Sequence, residues 1–335
     1  RVSRVILMVT HPSLALDAAS GVASVSGHLV QPRDCRRAED VARDRFDRRR
    51  HRLVHEAIKS YRLDGRLYRE RPHALKGQRL EVEVQHVSVC EATLDNLVRA
   101  VRQAKVQVEA VCSNVLASAH GALTTEEKTA GVAFLEIGGE TTTSAVFAEG
   151  SLVSARTERG GSRQLTKALS QGLLVPQRFA EDVKVRHGSA CRDQVAPGEL
   201  VHVETIGLRE PRQLCPRLFA EAMEPAVCDL LQRLAGLVSQ SGLANQLSAG
   251  LVLAGNGSRL NHLSELAERM LSVPVRVAKP RKREGLGGLL DQPGDCALIG
   301  AAQLWSQDQL PSWESPQRRA RARRNAQPRW LDLLA

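Results

Sequence analysis

Two glycines followed by three threonines, Gly138-Gly139-Glu140-Thr141-Thr142-Thr143, lie inside the stretch GVAFLEIGGETTTSAVFAEG at residues 131–150. A phosphate needs several N–H donors close to its oxygens, and glycines let a turn supply them because no side chain stands in the way. The threonine hydroxyls would add donors. An ordinary glycine hairpin between two strands explains the same residues, so this stretch alone leaves both readings open. A second turn, Gly255-Asn256-Gly257, follows the apolar run LVLA and precedes an amphipathic segment. There, backbone could face an adenosine or its phosphates, and Asn256 tolerates the left-handed geometry such a turn can require. Between the two turns, Glu181 and Lys184 are three apart in AEDVKVRHG. That spacing serves either a local ion pair or two groups facing one cleft.

These residues need elements to hold them. VAFLEI and SAVFAEG read as strands around the first turn, and SLVSARTER as a third strand of the same antiparallel sheet. SRQLTKALSQGLLV and PQRFAEDVKVRHG follow as two helices. The longest helix carries Leu218, Met223, Val227, Leu230, Leu231, Leu234 and Val238 on one broad face, with Pro211 and Pro216 near its start. GLVLAG, a helix through Leu263, Leu266, Ala267 and Met270, and the strand VPVRVAKP come next. At the front, Val2 to Val9 and residues 22–30 read as strands, residues 37–50 as a charged helix and residues 78–89 as an alternating strand. Strands with one or two helices make this front part a small α/β unit. Glu91 to Ala104 is an amphipathic helix, with Leu94, Leu97, Val98 and Val101 on one stripe.

Composition narrows the function classes. The chain has 335 residues, 42% of them apolar, enough for a sizeable core divided among two or more domains. Its seven cysteines form no C-x-x-C pair, which argues against a disulfide framework or a zinc knuckle. No run of eighteen apolar residues is present to span a bilayer. The net charge of +10 gathers in RDRFDRRRHR at 43–52 and RRARARR at 318–324, blocks that could meet an anionic surface. His51 and His55 have metal-ligand spacing but no evident third ligand. No residue is assigned as catalytic or as a metal ligand.

EIGGETTTSAVF, GGSRQLTKAL followed by AEDVKVRHGSA, LVLAGNGSRL and the late CALIGAA occur in an order that resembles the bacterial actin-like ATPases, and most closely the FtsA family of cell-division proteins. NVLASAHGALTTEEKTAG and FAEAMEP add to the resemblance, which covers roughly residues 89–302. It implies an α/β, actin-like (ribonuclease H-like) fold with a small α/β insertion domain at the N-terminal end. The expected division is 1–88 for the inserted domain and 89–130 for the remainder of the first actin-like subdomain. The second half would take 131–285, with an outer subdomain at about 162–240. Residues 286–315 would return to the first subdomain, and 316–335 would form a basic tail. Family members begin with a strand and hairpin that bind phosphate and metal, and this chain is expected to start after it.

The resemblance assigns Gly138, Gly139, Thr141, Thr142, Glu181, Lys184, Gly255, Asn256 and Gly257 to nucleotide binding, with ATP and Mg²⁺ as cofactors. The family motif Asp-Ile-Gly-Gly-Gly-Thr-Thr-Asp is altered here, however: Glu136 begins it, Glu140 replaces the third glycine and Thr143 the last Asp. A carboxylate at 140 opposes bound phosphate unless a cation or Arg compensates. Loss of the last acid removes a group that could order metal or water. Weak or lost nucleotide binding and little turnover are therefore expected.

The resemblance further implies a division scaffold at the septum. It would link FtsZ filaments, through the FtsZ C-terminal tail, to the cytoplasmic face of the bacterial inner membrane. Self-association into dimers or filaments and contacts with other division proteins belong to the same expectation. The tail RRARARRNAQPRWLDLLA places Arg323 and Arg324 before Trp330, Leu331, Leu333 and Leu334, the composition of a peripheral contact with an anionic membrane. Two alternatives remain: an ATP-dependent phosphotransferase of the actin and sugar-kinase superfamily, and a basic nucleic-acid-binding protein. The second lacks interleaved aromatics and a reading motif, so no specific nucleic acid is expected.

Overall fold

The computed structural model describes residues 2–27, 29–46, 50–195, 198, 200–204, 212–281, 289–307, 309–310 and 313. The chain opens with β1 (Arg4–Val9), and the front unit then runs through β2 (Ala15–Ser24), α1 (Pro32–Asp44), β3 (His51–Leu63), β4 (Arg66–Tyr68) and β5 (Arg79–Cys90). β2, β5, β3 and β4 form a four-stranded antiparallel sheet in that spatial order. α1 lies on this sheet because Cys35, Ala38 and Ala42 recur on one side of it, and all three are buried. Pro32 at its first turn and Asp34, which accepts the Gln31 N–H at 2.9 Å, fix where it starts. The approach is close: a Cβ at Gly21 would stand 1.9 Å from the Ala38 carbonyl oxygen. Glu39 is buried on the same face, where Tyr61 Oη donates to it at 2.6 Å and Arg71 pairs with it.

The strand expected at 22–30 and the helix expected at 37–50 are both displaced from β2 and α1. Small residues make β2 a weak strand by propensity, and the start of α1 follows its proline rather than its arginines.

α2 (Glu91–Gln103) then leads to β6 (Gln107–Ser113), which pairs in parallel with β1. α3 (Asn114–Ala122) and α4 (Thr125–Ala130) follow, and then the central hairpin of β7 (Val132–Ile137) and β8 (Thr141–Ala148), extended by β9 (Ser151–Arg159). Beyond it come α5 (Ser162–Leu173), α6 (Gln177–His187), the small hairpin β10 (Val201–Val203) and β11 (Arg212–Leu214), and the long α7 (Pro216–Ser239). β12 (Leu251–Ala254), α8 (Leu263–Leu271), β13 (Val275–Val277) and α9 (Cys296–Ser306) complete the order.

The central sheet runs β13-β12-β7-β8-β9, with β12 and β13 parallel to β7 and the β7-β8-β9 meander antiparallel. Every residue of β7 is buried. Its alternate side chains divide between two cores, which is why VAFLEI reads as an unbroken apolar run. Val132 and Phe134 join the core shared with α2 and α3, whereas Ala133, Leu135 and Ile137 join the one built by α5, α7 and α8.

α9 returns to the first half. It crosses α3 so closely that a Cβ at Gly300 would lie 1.8 Å from the Ala117 carbonyl oxygen, and one at Gly121 2.1 Å from that of Cys296. Past α9, the Trp313 N–H donates to the Glu109 carbonyl on β6 at 3.2 Å. The front unit leans on β9 through Gln85, whose side-chain amide donates to the Leu152 carbonyl, and through Ser151, which donates to the Lys59 carbonyl at 3.4 Å.

Candidate functional site

The turn from β7 to β8 is clamped to the start of α5. Within the turn, Gly138 N–H donates to the Thr141 carbonyl at 2.9 Å. The turn's carbonyls face the other way: those of Gly138, Gly139 and Glu140 accept from the N–H groups of Ser162, Arg163 and Gly160 at 2.9, 3.0 and 2.7 Å. Two of the donors that begin α5 are thus satisfied inside the protein. Gly161 allows this contact, since a Cβ there would be 2.4 Å from the Gly138 oxygen. Thr142 Oγ1 donates to the Gly160 carbonyl at 2.8 Å, and Thr143 Oγ1 lies 3.0 Å from Thr157 Oγ1. Only Thr141, of the three threonines, faces open space. Gly139 is also open, with nothing within 4 Å of where its Cβ would be.

Glu181 and Lys184 form a local pair. Lys184 Nζ lies 2.7 Å from Glu181 Oε2, donates to Thr166 Oγ1 at 2.8 Å and reaches the Ser162 carbonyl at 3.3 Å. Thr166 Oγ1 donates to the same Glu181 oxygen at 2.5 Å. Burial works against the Glu181 carboxylate, but the Lys184 and Thr166 hydrogen bonds hold its pKa below the ordinary value. The cluster docks α6 onto the beginning of α5.

The second glycine turn stacks on the end of β7. Gly255 has φ 75°, and a Cβ there would meet the Ile137 carbonyl oxygen at 2.5 Å; at Gly257 it would meet Ile137 Cγ2 at 2.4 Å. Both glycines serve this backbone packing. Asn256 is exposed, and its side chain lies against Gly294 in the short turn that precedes α9.

Glu136, near the end of β7 and just before the glycine turn, is 7% exposed. Its Oε1 accepts from Asn114 Nδ2 at 2.6 Å and Ser118 Oγ at 2.9 Å, both on α3. Its Oε2 is buried with no partner among the described residues. Burial pushes the Glu136 carboxyl upward in pKa against those two hydrogen bonds. The Cys296 thiol is pushed up to about 12, by burial first and then by Glu136.

A cavity of about 500 Å³ opens between the two halves. Thr10, His11 and Pro12, just past β1, line one side; Glu140, Thr141, Arg159, Gly160 and Gln164 line the other. Glu140 pairs with Arg163, and both side chains are 68% exposed. Of the residues assigned to nucleotide binding, Thr141 alone reaches this cavity. Thr10, His11, Arg159 and Gln164 were not foreseen, because nothing local in their sequence marks them. They meet only when β1 and the β9–α5 junction face each other.

The cavity fits the phosphates of ATP poorly. A carboxylate stands at its mouth and two of the three threonine hydroxyls are bonded elsewhere. Among the described residues, no group of three or more His, Cys, Asp or Glu could hold a metal ion. Arg323, Arg324, Trp330, Leu331, Leu333 and Leu334 lie outside the described residues. No helix among the described residues is long and apolar enough to cross a membrane.

Comparison with known proteins places this geometry. A chain of the PilM–PilN type IV pilus biogenesis complex superposes with a TM-score of 0.57 at 16% identity, over 90% of this chain and 79% of that one. MreB5 of Spiroplasma citri, in a structure bound to ADP, superposes with a TM-score of 0.54 at 17% identity, over 66% and 67%. The fold is actin-like with an inserted domain. The cell division protein FtsA of Pseudomonas aeruginosa is 30% identical over 273 residues, 82% of this chain and 66% of its own length. FtsA of Escherichia coli is 27% identical over 92% of this chain and 76% of its own. The chain thus spans about two thirds to three quarters of these relatives. The family model for cell division protein FtsA matches residues 133–300, and the model for the SHS2 domain inserted in FtsA matches residues 13–88. With both parts present in family order around this cleft, the chain belongs to the FtsA family.

Proposed function

We propose that this chain is an FtsA-like division scaffold. It links FtsZ filaments, through the FtsZ C-terminal tail, to the cytoplasmic face of the bacterial inner membrane, and it self-associates and contacts other division proteins. The observation that carries this reading is the inserted domain at 13–88 joined to the FtsA match at 133–300 in one chain. Nucleotide binding through Gly138, Gly139, Thr141 and the Gly255 turn is weak and hydrolysis slow or absent. The Glu140 carboxylate at the mouth of the cavity and the internal use of Thr142 support that part. Membrane contact is peripheral, through Trp330, Leu331, Leu333 and Leu334 behind the basic Arg323 and Arg324. One such short segment binds weakly, so self-association supplies the avidity.

Sedimentation of the purified chain with FtsZ polymers and vesicles containing anionic lipid tests the scaffold. FtsZ should appear in the vesicle fraction only when the chain is present, and Trp330→Glu with Leu334→Glu should abolish recruitment while FtsZ binding persists. Absence of vesicle recruitment by the folded wild-type chain, or recruitment unaffected by the double variant, sinks the membrane-linking role.

A further inference from the structure

Among the described residues, Glu140 is the one carboxylate lining the cavity between the two halves. Its backbone carbonyl is tied to the Gly160 N–H at 2.7 Å, so the residue cannot swing away without unpicking the turn. Its side chain pairs with Arg163, on the first turn of α5. Around it stand groups that suit an oxyanion. Arg159 lines the cavity, is exposed, and has no ion pair among the described residues. Thr141 and His11 line it as well. The N–H groups of Gly139 and Glu140 have no hydrogen-bond partner among the described residues, and Gly139 leaves open space beside them.

One arginine and a hydroxyl in the cavity lining, a second arginine paired with the carboxylate from α5, and free N–H groups in the turn beside it already supply the chemistry of a bound anion, except that the anion is covalently part of the chain. An exposed ion pair such as Glu140–Arg163 contributes little to stability, so folding alone gives no reason for the carboxylate to be there. Its larger effect is on ligands: it repels a second anion and engages the guanidinium that would receive one.

We propose that the Glu140 carboxylate is a tethered anion that masks an oxyanion site of the phosphate or pyrophosphate class, whose other groups are Arg163, Arg159, Thr141 and the Gly139 and Glu140 N–H groups. This deepens, and rests on, the reading of the cavity as a depleted phosphate site. Neutralising Glu140 frees Arg163 and removes the repulsion, and the site then binds.

The test is calorimetric titration of the full chain with inorganic pyrophosphate, at constant ionic strength, for wild type, Glu140→Gln, Glu140→Gln with Arg159→Gln, and Asp182→Asn. Asp182 is an exposed carboxylate on α6 that does not line the cavity, and its variant corrects for net charge. Thermal unfolding of each variant checks that it folds. Glu140→Gln should bind at least tenfold more tightly than wild type, about 1.4 kcal/mol, and the added Arg159→Gln should remove most of the gain. Equal affinity of wild type and a folded Glu140→Gln overturns the proposal. So does an equal gain in Asp182→Asn, or a gain that survives loss of Arg159. None of these outcomes bears on FtsZ or vesicle recruitment, so the scaffold stands or falls separately.

Discussion

Glu136 Oε1 and Asn114 Nδ2 lie 2.6 Å apart, and that contact joins the end of β7 to the first turn of α3. Ser118 completes the hold on the same oxygen. Truncation of the acid to alanine would leave Asn114 unpaired beside a void. Glu136→Ala should cost on the order of 3 kcal/mol, and Glu136→Gln considerably less. Urea unfolding of both variants checks the order.

The same carboxyl gives a pH signature. Its pKa is raised in the folded protein, so above the ordinary value of 4.5 the native state keeps a proton that the unfolded chain has released. Stability then falls as pH rises from about 4.5 toward the folded value, with a slope of up to about 1.4 kcal/mol per pH unit. Subtracting the Glu136→Gln curve from the wild-type curve of unfolding free energy against pH should isolate this negative slope. A flat difference curve would show that Glu136 is ionised in the fold.

His55 on β3 acts in the opposite sense. Burial first, then the neighbouring His120 and Lys128 charges, lower its pKa to about 4 from 6.5. The folded chain holds it neutral where the unfolded chain would protonate it. Its contribution is therefore complete above pH 6.5 and lost as pH falls toward 4, up to about 3 kcal/mol. His55→Leu should flatten the acid side of the stability profile, read by thermal unfolding between pH 4 and 7.

Lys184 is partly buried at the α5–α6 junction, with a side chain 10% exposed, whereas that of Glu181 is 50% exposed. Lys184→Met leaves the Ser162 carbonyl, Thr166 and Glu181 without their shared donor. It should destabilise by about 2 kcal/mol, and Glu181→Gln by less than half of that. Chemical denaturation of the two variants decides whether the pair's role is to dock the helices.

The α3–α9 crossing has no room for a side chain at Gly300. Gly300→Val should cost on the order of 3 kcal/mol, because backbone rather than a movable side chain lies in the way. Gly139→Ala, facing open space, should be nearly neutral by comparison. Thermal midpoints of the two variants give the contrast directly.

Where the sequence was legible, burial was uniform or the period was clean. β7 reads as a strand because both faces are buried, and α2 because its apolar stripe keeps helical spacing. HRLVHEAIKSYRL resisted because β3 carries irregularities between Leu53 and His55 and between Ile58 and Ser60, which break the alternation that would mark a strand. Gly21 gave no sign that α1 would press against it. At the site, Glu140 could be seen to need a compensating cation, but only the fold brings Arg163 to it. The two glycine turns were visible as glycines, and their tight packing on Ile137 and on Gly161 was not.

The glycine crossing of α3 and α9 also sets a path for mechanical load. Beyond Ser306 the chain meets β6 again at Trp313, so tension applied further along enters through β6 and α9 together. Backbone touches backbone at Gly121 and Gly300, leaving no compliant side chain to absorb the strain. A pull at that end is transmitted into α3, and Asn114 and Ser118 carry it to Glu136 at the end of β7.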